Sequence, residues 1–200
     1  MEFRLTYAGP LKGASRSNTR ADHKHEIRRE LHPQLRRLWE IAPQLNSDGM
    51  GSIVTYGAPN HPPHTVEALA EEFRCGEYKL VPLATRRLSL YCDIDVLFLR
   101  PDPPGSVLRS GDLDNRLKTL FDALRIPRNQ DELGPYKLPG PDEEPFFCLL
   151  EDDSLITRVS VATDVLLEPV PGSLDENAAR LVITVRLRPL RATPRNLSFV

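Results

Sequence analysis

The sequence predicts an α+β fold in which helices pack on a single mixed β-sheet. Residues 88–99 alternate apolar and polar side chains more regularly than any other part of the chain, which is typical of a strand with one buried face. Two stretches, beginning near residue 24 and at residue 112, instead repeat apolar residues at the spacing of an amphipathic helix. The elements follow one another as strand, helix, strands, helix and strands, an order that indicates one mixed sheet covered by helices.

The other elements are predicted from the same patterns. The first strand covers residues 2–8, and a polar, turn-rich segment follows it. In the first helix, which begins at about Lys24, Pro33 is expected to cause a kink or to start a second half, because proline lacks an N–H and clashes with the preceding turn. The remaining predicted elements are an extended loop at 43–63 with a short strand at 52–56, a helix at 64–74, strands at 78–84, 156–167 and 179–188, and a loop at 125–145 that is too polar and proline-rich to belong to the core.

Size and composition predict a soluble globular protein. A chain of 200 residues, 40% apolar and 27% charged, is long enough for one domain with a sizeable core. The net charge of -2 argues against nucleic-acid binding by overall charge, although it allows a local basic stripe. The three cysteines form no CxxC pair, which makes a zinc ribbon or a disulfide scaffold a poor match. Because no stretch resembles a signal peptide or a membrane span, we expect a cytoplasmic protein.

The stretch from 111 to 124, GDLDNRLKTLFDAL, contains the first candidate for chemistry. Its apolar stripe consists of Leu113, Leu117, Leu120, Phe121 and Leu124. Asp114, Lys118 and Asp122 form a separate row at i, i+4 and i+8, and Asp112 lies where an N-cap would lie. Two interpretations stay open: an ordinary capped helix with a solvated charged face, or carboxylates that hold a metal ion.

A second acidic cluster, Glu151-Asp152-Asp153, lies between the apolar run FFCLL and a predicted strand. Three successive carboxylates repel one another, and a divalent cation would relieve this repulsion. Mg²⁺ in proteins typically takes few carboxylates and fills its shell with water and substrate phosphates. The alternative is a solvated acidic turn. Asp93 and Asp95, on one face of the strand at 88–99, are either further ligands or part of its wetter face.

Basic residues near the two acidic clusters fit a phosphodiester substrate. They are Arg86, Arg87, Arg109, Arg116 and Lys118. A lysine one turn from metal-binding acids can stabilise negative charge that develops on a phosphate. The alternative for Arg86 and Arg87 is a solvated surface.

Together these residues resemble the RusA-type Holliday junction resolvases. The resemblance is carried by Asp112-Leu113-Asp114-Asn115, Lys118, Phe121-Asp122-Ala123-Leu124 and Asp152-Asp153, and it covers about 80 residues well, from the strand at 88 to the strand that ends at 167. It implies a single RusA-like α+β domain over residues 1–200, with insertions at about 40–80 and 125–147. It also implies a homodimer that cuts branched DNA in recombination and repair, using Mg²⁺ or alternatively Mn²⁺, without an organic cofactor or a membrane.

The resemblance also assigns roles to individual residues. Asp112, Asp114 and Asp153 match the family's metal-binding catalytic carboxylates, with Asp152 beside them as a further ligand, and Lys118 matches its catalytic lysine. The residues expected to contact nucleic acid are Arg109, Asn115, Arg116 and Lys118. Two alternatives stay open: a non-catalytic DNA-binding or regulatory protein with the same fold, and a nuclease for another nucleic acid such as RNA.

Overall fold

The fold is taken from a computed structural model that describes residues 1–14, 20–43, 45, 64–101, 112–170, 177–193, 196 and 199. Its strands are β1 (Glu2–Pro10), β2 (Arg74–Cys75), β3 (Tyr78–Ala84), β4 (Leu90–Arg100), β5 (Phe146–Leu150), β6 (Ile156–Val165) and β7 (Ala178–Pro189). Its helices are α1 (Ala21–Ile41), α2 (Val66–Glu72) and α3 (Asp112–Leu124), with 3₁₀ turns at Arg86–Leu88, Gln130–Leu133 and Asp153–Leu155.

The α+β class is confirmed, but the described strands form two mixed sheets rather than the single sheet predicted. The larger sheet has the order β1-β7-β4-β6, in which only β4 and β6 run parallel. The smaller sheet has the order β2-β3-β5, with β3 and β5 parallel. The predicted strands at 78–84, 88–99 and 179–188 are therefore present within two residues of their expected bounds. The strand at 78–84, however, belongs to the smaller sheet, while the other two pair in the larger one.

The smaller sheet exists because β5 is apolar on both faces. Every residue of FFCLL is buried, and so is nearly every residue of β3. One face, which includes Val81 and Phe147, joins the main core, while the other, which includes Leu80 and Phe146, forms a second core. A strand buried on both faces shows no alternation, so its apolar run did not predict a separate strand.

The segment between α3 and β5 supplies the cover for that second core. Leu133, in the 3₁₀ turn at Gln130–Leu133, is fully buried against Tyr78 and Phe146. Arg125 and Glu143 are buried as well. The prediction that this loop is too polar to belong to the core is wrong, because one leucine and a few paired charges are enough to close the small sheet.

Helices α1 and α3 bury their apolar sides in the main core, whereas α2 packs on β3 of the smaller sheet. Helix α1 begins three residues earlier than predicted and continues as one helix through Pro33. It packs on β1, β5 and α3, which places the candidate site helix beside it. Among the described residues, no helix has the length and apolarity needed to cross a membrane. The predicted strand at 52–56 and most of the loop at 43–63 lie outside the described residues, whereas the predicted helix at 64–74 is present as α2.

Candidate functional site

A groove between α3 and the edge strand β6 brings the two acidic clusters together. Its volume is about 540 Å³, and its apolar floor consists of Leu117, Phe121, Ile156 and Val159. Asp114 and Lys118 line it from α3, and Asp153 and Ser154 line it from the turn that precedes β6. Asp122, one turn after Lys118, also lines the groove. Carboxylates that are far apart in sequence therefore face the same space, together with the lysine.

The amphipathic pattern of α3 explains how Asp114 and Lys118 reach this groove. Leu120, Ala123 and Leu124 are buried in the main core, which fixes the rotation of the helix. The opposite side is then exposed, and it contains Asp114 and Lys118. The predicted common face of these two residues is confirmed.

Asp122, the third member of the predicted row, anchors the helix instead of facing solvent. It is buried, and Lys24 of α1 donates to it at 2.6 Å, with Arg125 at 3.3 Å. Burial raises the pKa of the Asp122 carboxyl, but the hydrogen bonds and charges of Lys24 and Arg125 outweigh burial and lower the pKa overall. Arg125 also pairs with Glu132 at 2.8 Å, so these charges join α1, α3 and the following turn.

The second acidic cluster is neutralised by arginines that the fold brings to it. Glu151 accepts the backbone N–H of Arg86 at 2.8 Å, and the Arg86 guanidinium donates to Asp152 at 3.0 Å. Arg128 donates to Asp153 at 3.1 Å and lies 3.4 Å from Asp152. The predicted repulsion among the three carboxylates is therefore relieved within the protein, which favours the interpretation as an acidic turn over the need for a cation, although the three residues are only partly exposed.

Asp152 is the most constrained carboxylate of the cluster. It caps the 3₁₀ turn by accepting the N–H of Ser154 at 3.1 Å. Its hydrogen bonds with Ser154, followed by the charges of Arg86 and Arg128, lower its pKa to about 2. Because its oxygens accept these bonds, Asp152 is less available to a metal ion than Asp153, whose side chain is 39% exposed.

Not all of the predicted metal ligands fall within the described part of the chain. The backbone of Asp112 begins α3, but its side chain lies outside the described residues, so its role stays a prediction. Among the residues that are described, no group of three or more His, Cys, Asp or Glu side chains is arranged to hold a metal ion.

The four predicted nucleic-acid contacts have three different outcomes. Asn115 and Lys118 are exposed on α3, whereas Arg109 lies outside the described residues. Arg116 is only 6% exposed and donates to Asn177 at 2.9 Å. This placement favours a structural role for Arg116, because a buried guanidinium cannot approach a DNA phosphate without leaving its partners.

Asp93 and Asp95, the other candidate ligands, lie on the outer face of the larger sheet, away from the groove. Arg188 donates to Asp93 at 2.9 Å, and Arg186 forms an ion pair with Asp95. Both carboxylates belong to cross-strand ion pairs. Asp95 is partly exposed, as predicted for the wetter face of β4, whereas Asp93 is buried.

Sequence reasoning missed Arg128, since this arginine lies in a segment interpreted as a surface loop. Its only sequence signal is its position shortly after α3, between that helix and the second acidic cluster. Lys24 was missed for a different reason: its partner Asp122 is remote in sequence, and only the packing of α1 on α3 joins them.

Compared with known proteins, the chain matches no family model, no curated protein and no solved structure.

Proposed function

We propose that this protein is a metal-dependent endonuclease that hydrolyses phosphodiester bonds in branched DNA, as the RusA-like motif implies. The observation that carries the proposal is the convergence of Asp114, Lys118 and Asp153 on one groove. A groove lined by Asp114, Asp153 and the ion-paired Asp122, with a lysine and a bordering arginine, suits a ligand that carries both a phosphate and a cation.

The donor chemistry of the groove fits Mg²⁺ or Mn²⁺. Asp114 and Asp153 would hold the ion, with Asp112 as the further ligand assigned by the motif, and water and phosphate oxygens would complete its shell. When bound, the ion supplies Lewis-acid polarisation of the phosphate and activation of a water molecule.

The chain's own residues then have distinct tasks. Lys118 donates to a non-bridging phosphate oxygen and stabilises the negative charge that grows there during in-line attack. Arg128, which reaches Asp153 from the opposite side of the turn, positions the neighbouring phosphate. Asn115, exposed in the first turn of α3, contacts the DNA backbone. We leave Arg116 out of the proposed contacts because it is buried.

A second function is favoured by one specific observation. Since Arg86 and Arg128 already neutralise Asp152 and Asp153, the acidic turn is stable without a cation. This suits a non-catalytic protein that binds branched DNA through the same groove. Such a protein would bind junctions without cutting them, and Asp114→Asn would leave its binding unimpaired.

The test is cleavage of a mobile four-way junction with Mg²⁺ or Mn²⁺ by wild type, Asp114→Asn and Lys118→Ala. We expect metal-dependent nicking by wild type and a loss of at least a hundredfold in each variant, since one electrostatic contact in a catalytic site contributes about 10²–10³ in rate. Asp131→Asn, an exposed acid that does not line the groove, is the matched control and should retain full activity.

Metal binding is measured separately from cleavage. Titration of Mn²⁺ by electron paramagnetic resonance should show a bound ion in wild type and weaker binding in Asp114→Asn. If wild type neither binds Mn²⁺ nor cuts junctions, flaps, forks or RNA, the nuclease proposal is wrong. Cutting of RNA alone would instead support the nuclease for another nucleic acid.

A further inference from the structure

The two sheets have long edges, and the fold blocks some of them. On β1, the outer edge of the larger sheet, the side chain of Gln34 accepts the N–H of Thr6 at 2.9 Å and donates to its carbonyl at 2.8 Å. The amide of Gln34 thus takes the place of a further strand. Unpaired edge groups are a template for another chain, so this contact removes such a template.

The edge of β5 in the smaller sheet is blocked in a similar way. His32 of α1 accepts the N–H of Phe147 at 2.9 Å, and Ile126 donates to the carbonyl of Leu150 at 2.9 Å. The opposite edge of that sheet, β2, is only two residues long. Neither edge offers a long template for pairing.

Strand β6 differs from these edges. It has ten residues and, among the residues that the structure describes, it pairs only with β4. Most of its side chains are exposed, including the apolar Val159 at 43%. It contains no proline or lysine that would hinder pairing with another strand. The register shift in its ladder with β4 lies before Arg158, so residues 158–165 pair regularly with β4.

The charges of β6 identify the partner that fits this edge. Arg158 and Asp164 are both exposed and lie on the same face, because residues at even spacing share a face of a strand. Within its own chain Arg158 lies 3.7 Å from Asp95 of β4, a carboxylate that Arg186 also binds, and the Arg158 side chain is still 58% exposed. Arg158 and Asp164 are each three residues from Val161. If two copies of β6 pair antiparallel with Val161 on the two-fold axis, Arg158 of each copy faces Asp164 of the other.

We propose that β6 is a self-association edge, and that two copies of this chain join through antiparallel β6–β6 pairing centred on Val161. A two-fold interface uses the same surface of both copies. The pairing of Arg158 in one copy with Asp164 in the other therefore occurs twice. Two-fold axes at Arg158 or Asp164 would instead place like charges opposite each other, which destabilises facing strands. The charge pattern therefore selects both the partner and the register.

This pairing has a consequence for the groove. It joins the larger sheets of two copies into one of eight strands, with the two-fold axis perpendicular to the sheet. Both grooves then lie on the same side of the sheet, and Val159 of each copy is four residues from its mate along the strand direction, about 13 Å. The inference concerns how the proposed endonuclease would assemble, and it rests on the strand pairing and charges of β6 and not on metal chemistry.

The test uses two charge reversals and the full chain. Asp164→Lys gives β6 two positive charges, and Arg158→Glu gives it two negative charges. In each variant alone, both ion pairs become like-charge pairs. We expect the dimer dissociation constant, from sedimentation equilibrium, to rise at least tenfold, which is about 1.4 kcal/mol. When the two variants are mixed, every charge again meets its opposite, so a heterodimer should form with nearly the wild-type affinity.

Folding and location are controlled separately. Circular dichroism and melting of each variant show whether the fold is kept, and recovery in the mixture shows that both are competent to associate. Arg4→Glu reverses a charge on β1 at the opposite edge of the same sheet and should leave the dissociation constant unchanged. A monomeric wild type, reversals that do not weaken the dimer, or a mixture that stays monomeric would overturn the proposal. Cleavage by a monomeric wild type would overturn this interface while leaving the proposed nuclease intact.

Discussion

Asp122→Asn tests whether the buried ion pairs between α3, α1 and Arg125 hold the candidate site helix in place. Its carboxylate is 10% exposed, with Lys24 at 2.6 Å and Arg125 at 3.3 Å. Breaking a buried pair leaves an uncompensated charge and typically costs about 3–5 kcal/mol. We expect the low end, about 3 kcal/mol of unfolding free energy, because Arg125 keeps Glu132 at 2.8 Å.

The assay is urea unfolding monitored by circular dichroism at pH 7, with Asp131→Asn as the exposed control. The control should lie within about 0.5 kcal/mol of wild type. The double variant Lys24→Met/Asp122→Leu should regain most of the loss, because an apolar pair of similar volume replaces a buried ion pair at little cost.

The pH dependence of this loss has a defined sign. The folded pKa of Asp122 is lowered from its ordinary value of 3.8, so the ion pair stabilises the protein above that pH and loses its effect as the pH falls through the folded pKa. The difference between wild type and Asp122→Asn should therefore shrink in acid. A loss below about 1 kcal/mol at pH 7, or a double variant as unstable as the single one, would refute the reasoning.

Three further predictions concern a buried histidine, the arginine of the acidic turn and a glycine with positive φ. Burial lowers the pKa of His25 from 6.5 to about 4. Below pH 6.5 the unfolded chain therefore takes up a proton that the folded protein does not. The unfolding free energy falls as the pH drops from 6.5 to about 4. At about 1.4 kcal/mol for each pH unit the loss is about 3 kcal/mol, and urea unfolding at pH 7 and pH 5 should show a smaller difference for His25→Phe than for wild type. Arg128→Gln should tighten Mn²⁺ binding several-fold in paramagnetic resonance titrations, because its guanidinium competes with a cation for Asp153; unchanged or weaker binding would contradict this competition. Gly134→Ala should destabilise the protein by about 2 kcal/mol, since Gly134 has φ 59° and a Cβ there would lie 2.9 Å from the backbone of α1. In Gly140→Ala the added Cβ would meet only a side chain, so its melting temperature should shift much less than that of Gly134→Ala.

The local spacing of apolar residues was sufficient to predict the elements that have one buried face. The run from Leu90 to Phe98 and the stripe of α3 are each defined by spacing within a single segment, so the sequence predicts them and the structure confirms them. The same spacing placed Asp114 and Lys118 on one side of α3. Strand β5 was not predicted as a separate element, because burial on both faces removes the alternation that identifies a strand.

The sequence by itself determined the α+β class, the orientation of α3 and the candidate acids, since each depends on residues a few positions apart. Only the tertiary structure decided which acids are neutralised and by which cations. Asp122 meets Lys24, and the turn at Glu151–Asp153 meets Arg86 and Arg128, through contacts between separate elements. Coulomb attraction depends on distance and burial rather than on separation along the chain, so no pattern within a segment reveals these partners. For the same reason, the edge position of β6, which pairs only with β4 among the described strands, could be recognised only after the sheet order was known.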